Sequence, residues 1–458
     1  MSWVLLLPLL FLAGPSYWEA QGAPASDWRA EARAAASRRD WEQAISCYQK
    51  AIDQTPQDSN IRLEYAVALK STRRFAEAIG TLRDALRISP RNERAELELG
   101  DTYRQIYNYD EARRIFETAH REHPGSSAPL VSLGLLEIEL QTYDAAIAHL
   151  RAALRLSPSS LVARRDLAAA YHAKGDQASA LRELNLIIAK DPQHAYAHYL
   201  RASIRADRNE NQTALSDAEQ VVRSQPDNQE GRLLLGKIEL RLNQCGNAVE
   251  ALAPLGNSPN TNSQTLYLLE RAYDCSGQKD LAQKTLARFE EASKGDRSLK
   301  ENQTQAEHLV HEANVLAIKN QFAPALDLLQ QAIEKDPQNG DAYSQLAKIF
   351  FSEGEIEKAN DAVDRALAIH PYRPDYLYVK GRLLEREGNL DEALQEFERT
   401  VLVNPKESDA YYEMGMLYEK RGDQKSAVAA LKKSIELSPD DPDYRRALAA
   451  AEARTTSP

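Results

Sequence analysis

The sequence predicts an all-α fold, a helical-repeat solenoid in which about twelve helix pairs form a superhelix that ends in a C-terminal capping helix. The first observation is a 34-residue period in proline, at Pro56, Pro90, Pro124, Pro158, Pro192 and Pro226, and again at Pro337, Pro371, Pro405 and Pro439. The second is an alanine with the same period, at Ala44, Ala78, Ala112, Ala146, Ala180, Ala214, Ala248 and Ala282, and then at Ala325, Ala359, Ala393 and Ala427. A fixed period of this length is the signature of stacked repeats.

The repeat is clearest between Asn92 and Ser126. Apolar residues recur there at three- and four-residue steps over about Ala95–Gln105 and Tyr109–Glu122, which predicts two amphipathic helices. The fixed points of the unit are Leu99, Gly100, Tyr103, Ala112, Phe116, Ala119 and Pro124. This spacing of L-G-x2-Y, then A-x3-F, then P resembles that of the tetratricopeptide repeat family. The resemblance covers about residues 25–441 and implies stacked antiparallel helix pairs.

A second ladder of small residues lies on the first helix of each unit. It comprises Ala32, Ala66, Gly100, Gly134, Ala168, Ala202, Gly236, Ala313, Ala347, Gly381 and Gly415, with Glu270 as the one departure. The distance between two helix axes follows the size of the side chains at their contact. We therefore expect the two helices of each pair to approach closely where the two ladders meet.

The overall composition limits the class of protein. The chain has 458 residues, 43% hydrophobic and 27% charged, which fits a folded chain rather than a disordered one. Its net charge is −11, and no basic block appears, which argues against nucleic acid as a partner. Three cysteines are too few for a disulfide framework or a zinc site.

The N-terminus predicts export. Val4–Ala13 is an apolar run too short to span a bilayer, and Ala20, Gln21 and Gly22 form a small-x-small cleavage site. We therefore expect residues 1–22 to be a signal peptide, and the mature protein to be periplasmic or secreted without a membrane span. No Lys or Arg precedes the apolar run, so a misassigned start and a cytoplasmic protein are the alternative.

Units 1–8 occupy residues 25–296, and the last two of them are degenerate. Pro254 falls within the second helix of unit 7 and is expected to end it early. The segment Gly256–Asn262 then predicts a loop, because it is rich in Gly, Asn, Ser and Pro. This region is either a hinge or docking loop, or a stretch where the repeat has eroded without consequence for the stack.

An insertion separates unit 8 from unit 9. Gly295 is expected to cap the helix that ends near Ser293, and Ser298 with Glu301 has the spacing of a capping box. The inserted residues 297–305 then extend the first helix of unit 9, and units 9–12 occupy residues 306–441. Residues 442–458 form a capping helix and tail, with Asp441 as N-cap and Pro442 in the first turn.

The sequence offers no evident catalytic or metal-binding constellation, and we expect no enzyme activity and no cofactor. His308 and His311 are three residues apart, and His194 and His198 are four apart, but neither pair has an evident third ligand. Solvated or packed histidines are the simpler interpretation. Gly-rich phosphate loops and the sequence signatures of hydrolases and zinc proteases are absent.

The family resemblance implies a protein–protein interaction scaffold, in which first helices line a concave groove that binds partner segments. The residues expected to face this groove are Arg165, His172, Tyr196, Tyr199, Lys237, Tyr267, Arg271, Tyr378, Arg382, Tyr412 and Met416. As an exported protein, it would serve as an assembly or adaptor factor of the cell envelope. The alternatives are a cytoplasmic adaptor and the non-catalytic arm of a glycosyltransferase-type complex. The partner, the pathway and the oligomeric state stay open.

Two recurring pairs suggest that the later units carry the binding. Tyr267 with Arg271, and Tyr378 with Arg382, each place an aromatic ring and a guanidinium four residues apart on one helix face. Tyrosine and arginine are enriched at binding hot spots. The competing interpretation is that nearby acidic residues, Asp274 and Glu385, neutralise these arginines within the protein.

Export would also permit a disulfide. Cys245 lies in the turn of unit 7, and Cys275 lies at the end of the first helix of unit 8. Turns of neighbouring units stack side by side, so the two Cα atoms are expected within the roughly 7 Å that a disulfide requires. Cys47 is expected to stay free, and two unpaired thiols are the alternative.

Overall fold

A computed structural model describes residues 27–258 and 261–455, and every helix or strand assigned in that part of the chain is an α-helix. The predicted signal peptide, Pro259 and Asn260 of the predicted loop, and residues 456–458 of the predicted tail lie outside the described residues. The helices are α1 (Trp28–Ser37), α2 (Trp41–Gln54), α3 (Ser59–Ser71), α4 (Phe75–Ile88), α5 (Glu93–Gln105), α6 (Tyr109–Glu122), α7 (Ala128–Glu139), α8 (Tyr143–Leu156), α9 (Leu161–Lys174), α10 (Gln177–Lys190), α11 (Ala195–Asp207), α12 (Asn211–Ser224), α13 (Gln229–Arg241), α14 (Cys245–Gly256), α15 (Ser263–Cys275), α16 (Lys279–Ile318), α17 (Phe322–Lys335), α18 (Gly340–Glu353), α19 (Ile356–Ile369), α20 (Pro374–Glu387), α21 (Leu390–Val403), α22 (Ser408–Lys420), α23 (Gln424–Leu437) and α24 (Pro442–Thr455).

The predicted repeat is confirmed. Within residues 27–90, and again from residue 91 onward, successive helices pack against each other as antiparallel neighbours. The described helices make twelve units and a final helix when α16 is divided between units 8 and 9. Side chains cap many of the helix starts, as where Asn92 accepts a hydrogen bond from the backbone N–H of Ala95. In the turn after α9, Gly175 has a φ of +88°, the left-handed conformation expected there. None of the described helices is long and apolar enough to cross a membrane.

The chain divides into two compact units, one up to Pro90 and one from Arg91 onward. In the first, α1–α4 pack through the small-residue ladders, and Ala32, Ala44, Ala66 and Ala78 are fully buried. The full burial of these methyl groups agrees with the close approach of paired helices that the sequence predicts.

In the second compact unit, the ladders bring the helices of each pair into contact. A Cβ atom added at Gly100 would lie 2.3 Å from Cε1 of Phe116, which is closer than non-bonded carbon atoms can approach. Gly381 faces Phe397 in the same way, and an added Cβ there would lie 2.7 Å from the ring. The glycines thus make room for a phenylalanine that fills the space between two helices.

The prediction for unit 7 is partly corrected. α14 runs past Pro254 and ends at Gly256, so proline does not stop the helix where it occurs. Proline lacks only the N–H that would bond one turn back, and the helix can complete two more residues before it ends. At 12 residues α14 is nevertheless shorter than α12, which has 14.

The prediction of a helix end at Gly295 is wrong. α16 is one continuous helix of 40 residues, and it comprises the second helix of unit 8, the insertion and the first helix of unit 9. Neither the glycine cap nor the Ser298–Glu301 capping box forms. Side chains from Lys294 to Glu301 are all exposed, and Asp296 accepts a hydrogen bond from the Ser263 hydroxyl at 2.6 Å. The middle of this helix is therefore stabilised mainly by its backbone hydrogen bonds.

The last helix closes the array as predicted. The Asp441 carboxylate accepts a hydrogen bond from the backbone N–H of Asp443 at 2.8 Å and so caps α24, which begins at Pro442. Tyr444 is buried, and its ring stacks on Tyr412 with centroids 5.0 Å apart. The cap thereby covers the apolar end of unit 12.

One set of contacts joins residues that are far apart in sequence. The side-chain N–H of Asn108, at the start of α6, donates to the carbonyl oxygen of Leu402 at 2.6 Å. Lys406 pairs with Asp110 at 3.0 Å beside it. Units 3 and 11 therefore meet within the second compact unit.

Candidate functional site

The inner face of the second compact unit is formed by first helices. Successive first helices contact each other directly, as α5 and α7, α7 and α9, and α13 and α15 do, and second helices fill the spaces behind them. Elements that approach most closely lie on the inner side of a curved stack. We call the surface of α7, α9, α11, α13 and α15 that faces away from the second helices the inner face.

Apolar side chains stand exposed on three helices of the inner face. Leu135 on α7 is 37% exposed, Val162 on α9 is 51% exposed, and Tyr196 on α11 is 41% exposed. Only Tyr196 was selected from the sequence, because the selection favoured tyrosine and arginine. Leu135 and Val162 each occupy one of the register positions that are expected to face inward. An aliphatic residue at such a position is the sequence signal that could have identified them.

Arg165 and His172 lie on α9 beside this apolar surface. The guanidinium of Arg165 pairs with the buried Asp166 at 2.7 Å, and it also acts electrostatically on Tyr196 of the next unit. Nδ1 of His172 is buried without a hydrogen-bond partner in the described structure. A partner carboxylate could reach Arg165, since this side chain keeps part of its surface exposed.

Tyr199 and Lys237 are less accessible than the sequence suggested. Tyr199 packs against the apolar cluster of Ala202 and Leu234, which makes it in part a core residue. Lys237 is half-buried on α13. Both residues shape the inner face more than they project from it.

The pair Tyr267 and Arg271 is open to solvent. The Tyr267 ring is 43% exposed and rests against Phe289 of α16, with centroids 5.7 Å apart. Arg271 donates to the Tyr267 hydroxyl at 3.4 Å, and its Cζ lies 5.9 Å from the ring centroid. Arg271 forms no ion pair with any described residue, whereas Asp274 pairs with Lys279 at 2.6 Å. The guanidinium is therefore available to a carboxylate of another molecule.

The pair Tyr378 and Arg382 is engaged within the protein. Arg382 donates to the Tyr378 hydroxyl at 3.2 Å and pairs with Glu413 of α22 at 2.9 Å. Glu385 also lies 3.8 Å from the Arg382 guanidinium and pairs with Lys420. Burial raises the pKa of Tyr378 to about 12. The internal neutralisation considered for this arginine is thus present, and Glu413 provides most of it.

Tyr412 and Met416 lie close to the C-terminal cap. Tyr412 is held under α24 by the stack with Tyr444, and Met416 is half-buried one turn further along α22. This end of the array offers less free aromatic surface than α11 or α15.

Two arginines at the start of the array are likewise occupied. Arg29 and Arg33 donate to the carboxylate of Glu64 at 2.8 Å and 2.6 Å. Burial acts to raise the pKa of Glu64, but these hydrogen bonds outweigh it and lower that pKa to about 2. A carboxylate of the chain itself therefore pairs with the two guanidinium groups. Without it, they would be free to bind a carboxylate of a partner, such as its C-terminus.

The histidine pairs have structural or solvated positions. His194 caps α11 through its ring nitrogen, and His198 hydrogen-bonds to the buried Asp217 at 2.7 Å. His308 is exposed and lies 3.6 Å from Glu312 on the same helix. His311 is exposed as well.

The structure joins Cys245 to Cys275 as a disulfide, with Cα atoms 5.7 Å apart. The bridge links the first residue of α14 to the last residue of α15. Cys47 is free and buried in α2. The covalent link holds units 7 and 8 together next to Tyr267 and Arg271.

Comparisons with known proteins agree with this architecture. Family models described as tetratricopeptide repeat match residues 29–93, 97–160, 199–260 and 378–442, and also 137–204 and 316–383. No curated protein matches the chain.

Solved structures that are similar to the chain have low sequence identity to it. The Cut9–Hcn1 hetero-tetramer of the APC/C is 14% identical, covering 94% of this chain and 90% of that chain, with a TM-score of 0.37. A tetratricopeptide repeat protein from Parabacteroides merdae is 19% identical, covering 54% of this chain and 97% of that chain, with a TM-score of 0.42. YrrB, described as having an unusual peptide-binding site, is 24% identical, covering 40% of this chain and 95% of that chain, with a TM-score of 0.32.

Proposed function

Because the chain belongs to the tetratricopeptide repeat family, we propose that it is a non-enzymatic scaffold whose inner face binds a segment of another protein. The observation that carries this proposal is the row of exposed apolar side chains Leu135, Val162 and Tyr196 on three neighbouring units. Exposed apolar residues that line up on one face mark interaction sites, whereas isolated ones are ordinary.

The charges beside this row define the partner segment. Arg165 lies within the row, and Arg271 lies two units beyond it, on α15, with no ion pair among the described residues. Arginine can bind a carboxylate through two parallel hydrogen bonds, and an aromatic ring supplies contact area at low entropic cost. The segment that fits is extended or helical, apolar along one side and acidic at two points.

The proposed location is the cell envelope or the exterior. An apolar N-terminal run with a small-x-small site supports export. A Cys245–Cys275 disulfide would also be more stable in an oxidising compartment than in the cytosol. Fractionation of the native host, with an antibody against the chain, tests this location directly.

Site-specific crosslinking tests the binding surface. A photoreactive amino acid placed at Val162 is expected to capture a partner in the native host, which mass spectrometry then identifies. Leu186 on α10 is the matched control, since it is 51% exposed like Val162 but lies on a second helix. Equal capture from both positions, or capture from Leu186 alone, would overturn the inner face as the binding surface.

Two double variants then locate the hot spot. Tyr267→Ala with Arg271→Ala is expected to weaken binding of the identified partner by at least ~2 kcal/mol, and to leave the thermal midpoint nearly unchanged. Tyr378→Ala with Arg382→Ala is expected to lower the midpoint, because it leaves Glu413 buried without its cation. Weakened binding from the second variant alone would place the partner on the later units instead.

A further inference from the structure

Three ligand-type side chains meet at one end of unit 3. Glu96 lies in the first turn of α5, Glu122 is the last residue of α6, and His123 follows it. Because the two helices are antiparallel, the start of α5 lies beside the end of α6. One ligand atom from each of the three residues lies within 4.8 Å of the other two.

Two of these atoms are buried without a hydrogen bond. Glu96 is only 6% exposed, and its Oε2 faces Nε2 of His123 at 3.2 Å. Apart from this contact with each other, neither atom has a hydrogen-bond partner in the described structure, and both are shielded from solvent. A buried polar atom without a partner costs folding free energy, and such groups in folded proteins often mark a missing ion or water.

The chemistry of the cluster selects the class of ion. The imidazole nitrogen suits a first-row transition ion such as Zn²⁺, which also binds carboxylate oxygens, whereas Mg²⁺ and Ca²⁺ prefer oxygen ligands throughout. Zinc binds nitrogen and oxygen at about 2.0–2.1 Å, so the ligand atoms of a tetrahedral site lie about 3.3 Å apart. The distance of 3.2 Å between Glu96 and His123 agrees with that spacing.

We propose that Glu96, Glu122 and His123 bind one Zn²⁺ ion, which joins α5 to α6 and keeps a fourth coordination position open to water. These residues are separated by most of a repeat unit, so no local sequence motif indicates a metal site here. The site is particular to unit 3, since the corresponding residues of unit 4 are Leu130, Leu156 and Ser157. The proposal does not depend on the partner or on the inner face.

Metal titration of the full chain, without a polyhistidine tag and after treatment with a chelator, tests the proposal. Calorimetry with ZnCl₂ is expected to give one tight site per chain. Glu96→Gln and His123→Gln are each expected to weaken that site at least tenfold, since ligand groups matter more than their supporting contacts, which themselves are worth about 10–100-fold. Co²⁺ in place of Zn²⁺ is expected to give the intense visible absorption of a low-coordinate ion in the wild type.

His149→Gln is the matched control. His149 also faces a buried glutamate, Glu137, at 2.8 Å, but no third ligand lies within reach of that pair among the described residues. This variant is expected to bind zinc like the wild type. The proposal fails if the wild type shows no tight site, or if both Glu96→Gln and His123→Gln keep wild-type affinity and cobalt absorption. Circular dichroism of each variant confirms that lost binding does not reflect lost folding.

Discussion

Two glycines within helices show two different ways in which helices of this chain are stabilised. At Gly100, in α5, an added Cβ would collide with Phe116 of the paired helix. At Gly295, in the middle of α16, nothing lies within 4 Å of such an atom. The regular units depend on side chains that fit between helices, whereas the middle of α16 depends mainly on its own backbone. An array can therefore tolerate an irregular stretch if its backbone hydrogen bonds continue through it.

The largest expected effect concerns the covalent link beside α16. The disulfide closes a loop with a sequence separation of 30, for which the chain-entropy argument gives about 3.5 kcal/mol. Replacing both cysteines, Cys245→Ser with Cys275→Ser, is expected to lower the urea concentration at which units 7 and 8 unfold. Hydrogen exchange of α14 and α15 measures this midpoint. Reductant should destabilise the wild type and leave the double variant unchanged. If reductant does not affect the wild type, units 7 and 8 are stable without the disulfide.

The next effect tests the regular units. Gly100→Leu is expected to destabilise α5 and α6 by about 1–3 kcal/mol or more, because the new side chain must displace Phe116. Gly295→Leu is the matched substitution in α16 and is expected to be neutral or stabilising. Denaturation monitored by circular dichroism compares them. Similar losses from both variants would remove the distinction between the two regions.

A third effect is pH-dependent and contrasts unit 7 with unit 4. Glu239 and Glu137 occupy the same register position, but Glu137 has His149 as a partner, and Oε2 of Glu239 has none in the described structure. Burial, with Glu219 and Glu250 nearby, raises the pKa of Glu239 from 4.5 to about 7. The folded state therefore favours protonated Glu239, and this contribution to stability is lost as the pH rises from about 4.5 through about 7.

Glu239→Leu removes that dependence. It is expected to raise stability on the order of 2 kcal/mol at pH 8, and by much less at pH 4.5, where the carboxyl is protonated in the folded state and half protonated in the unfolded state. Thermal midpoints at the two pH values measure the difference. A variant that gains equally at both pH values would show that packing, rather than charge, limits this position.

The smallest effect again concerns α16. Gly295→Ala is expected to stabilise the helix by about 0.5–1 kcal/mol, since alanine loses less backbone entropy than glycine and meets no neighbour there. Hydrogen exchange of residues 290–300 measures it. A loss of stability would mean that the middle of α16 packs against something in solution.

Most of the fold follows from local pattern. The predicted boundaries Tyr109–Glu122 match α6, because the apolar period and the capping Asn108 act within one unit. The continuity of α16 was missed because Ser298 and Glu301 have capping geometry in sequence, but a cap is needed only where a helix ends. The inserted residues 297–305 are almost all exposed. Continuing the helix through them gives every backbone N–H and C=O a hydrogen-bond partner, and the only unfavourable residue that it includes is Gly295.

The binding surface was less predictable. Tyr267 and Arg271 were identified correctly as exposed, since a register position fixes the face of a helix. Which arginine is free was not predictable, because Glu413 reaches Arg382 from the next unit and depends on rotamers that a sequence does not specify. The cluster around His123 likewise depends on how two helix ends align.

The contact between Asn108 and Leu402 has a consequence for the order of folding events. Almost everything else in a repeat array forms between neighbours, so folding can begin in any unit and spread along the chain. This hydrogen bond spans 294 residues and can form only after the intervening units have reached their final curvature. Closing so long a loop carries an entropic cost that local contacts do not. The contact is therefore the last to be made and the first to be lost, and it reports on whether units 3–11 have all folded.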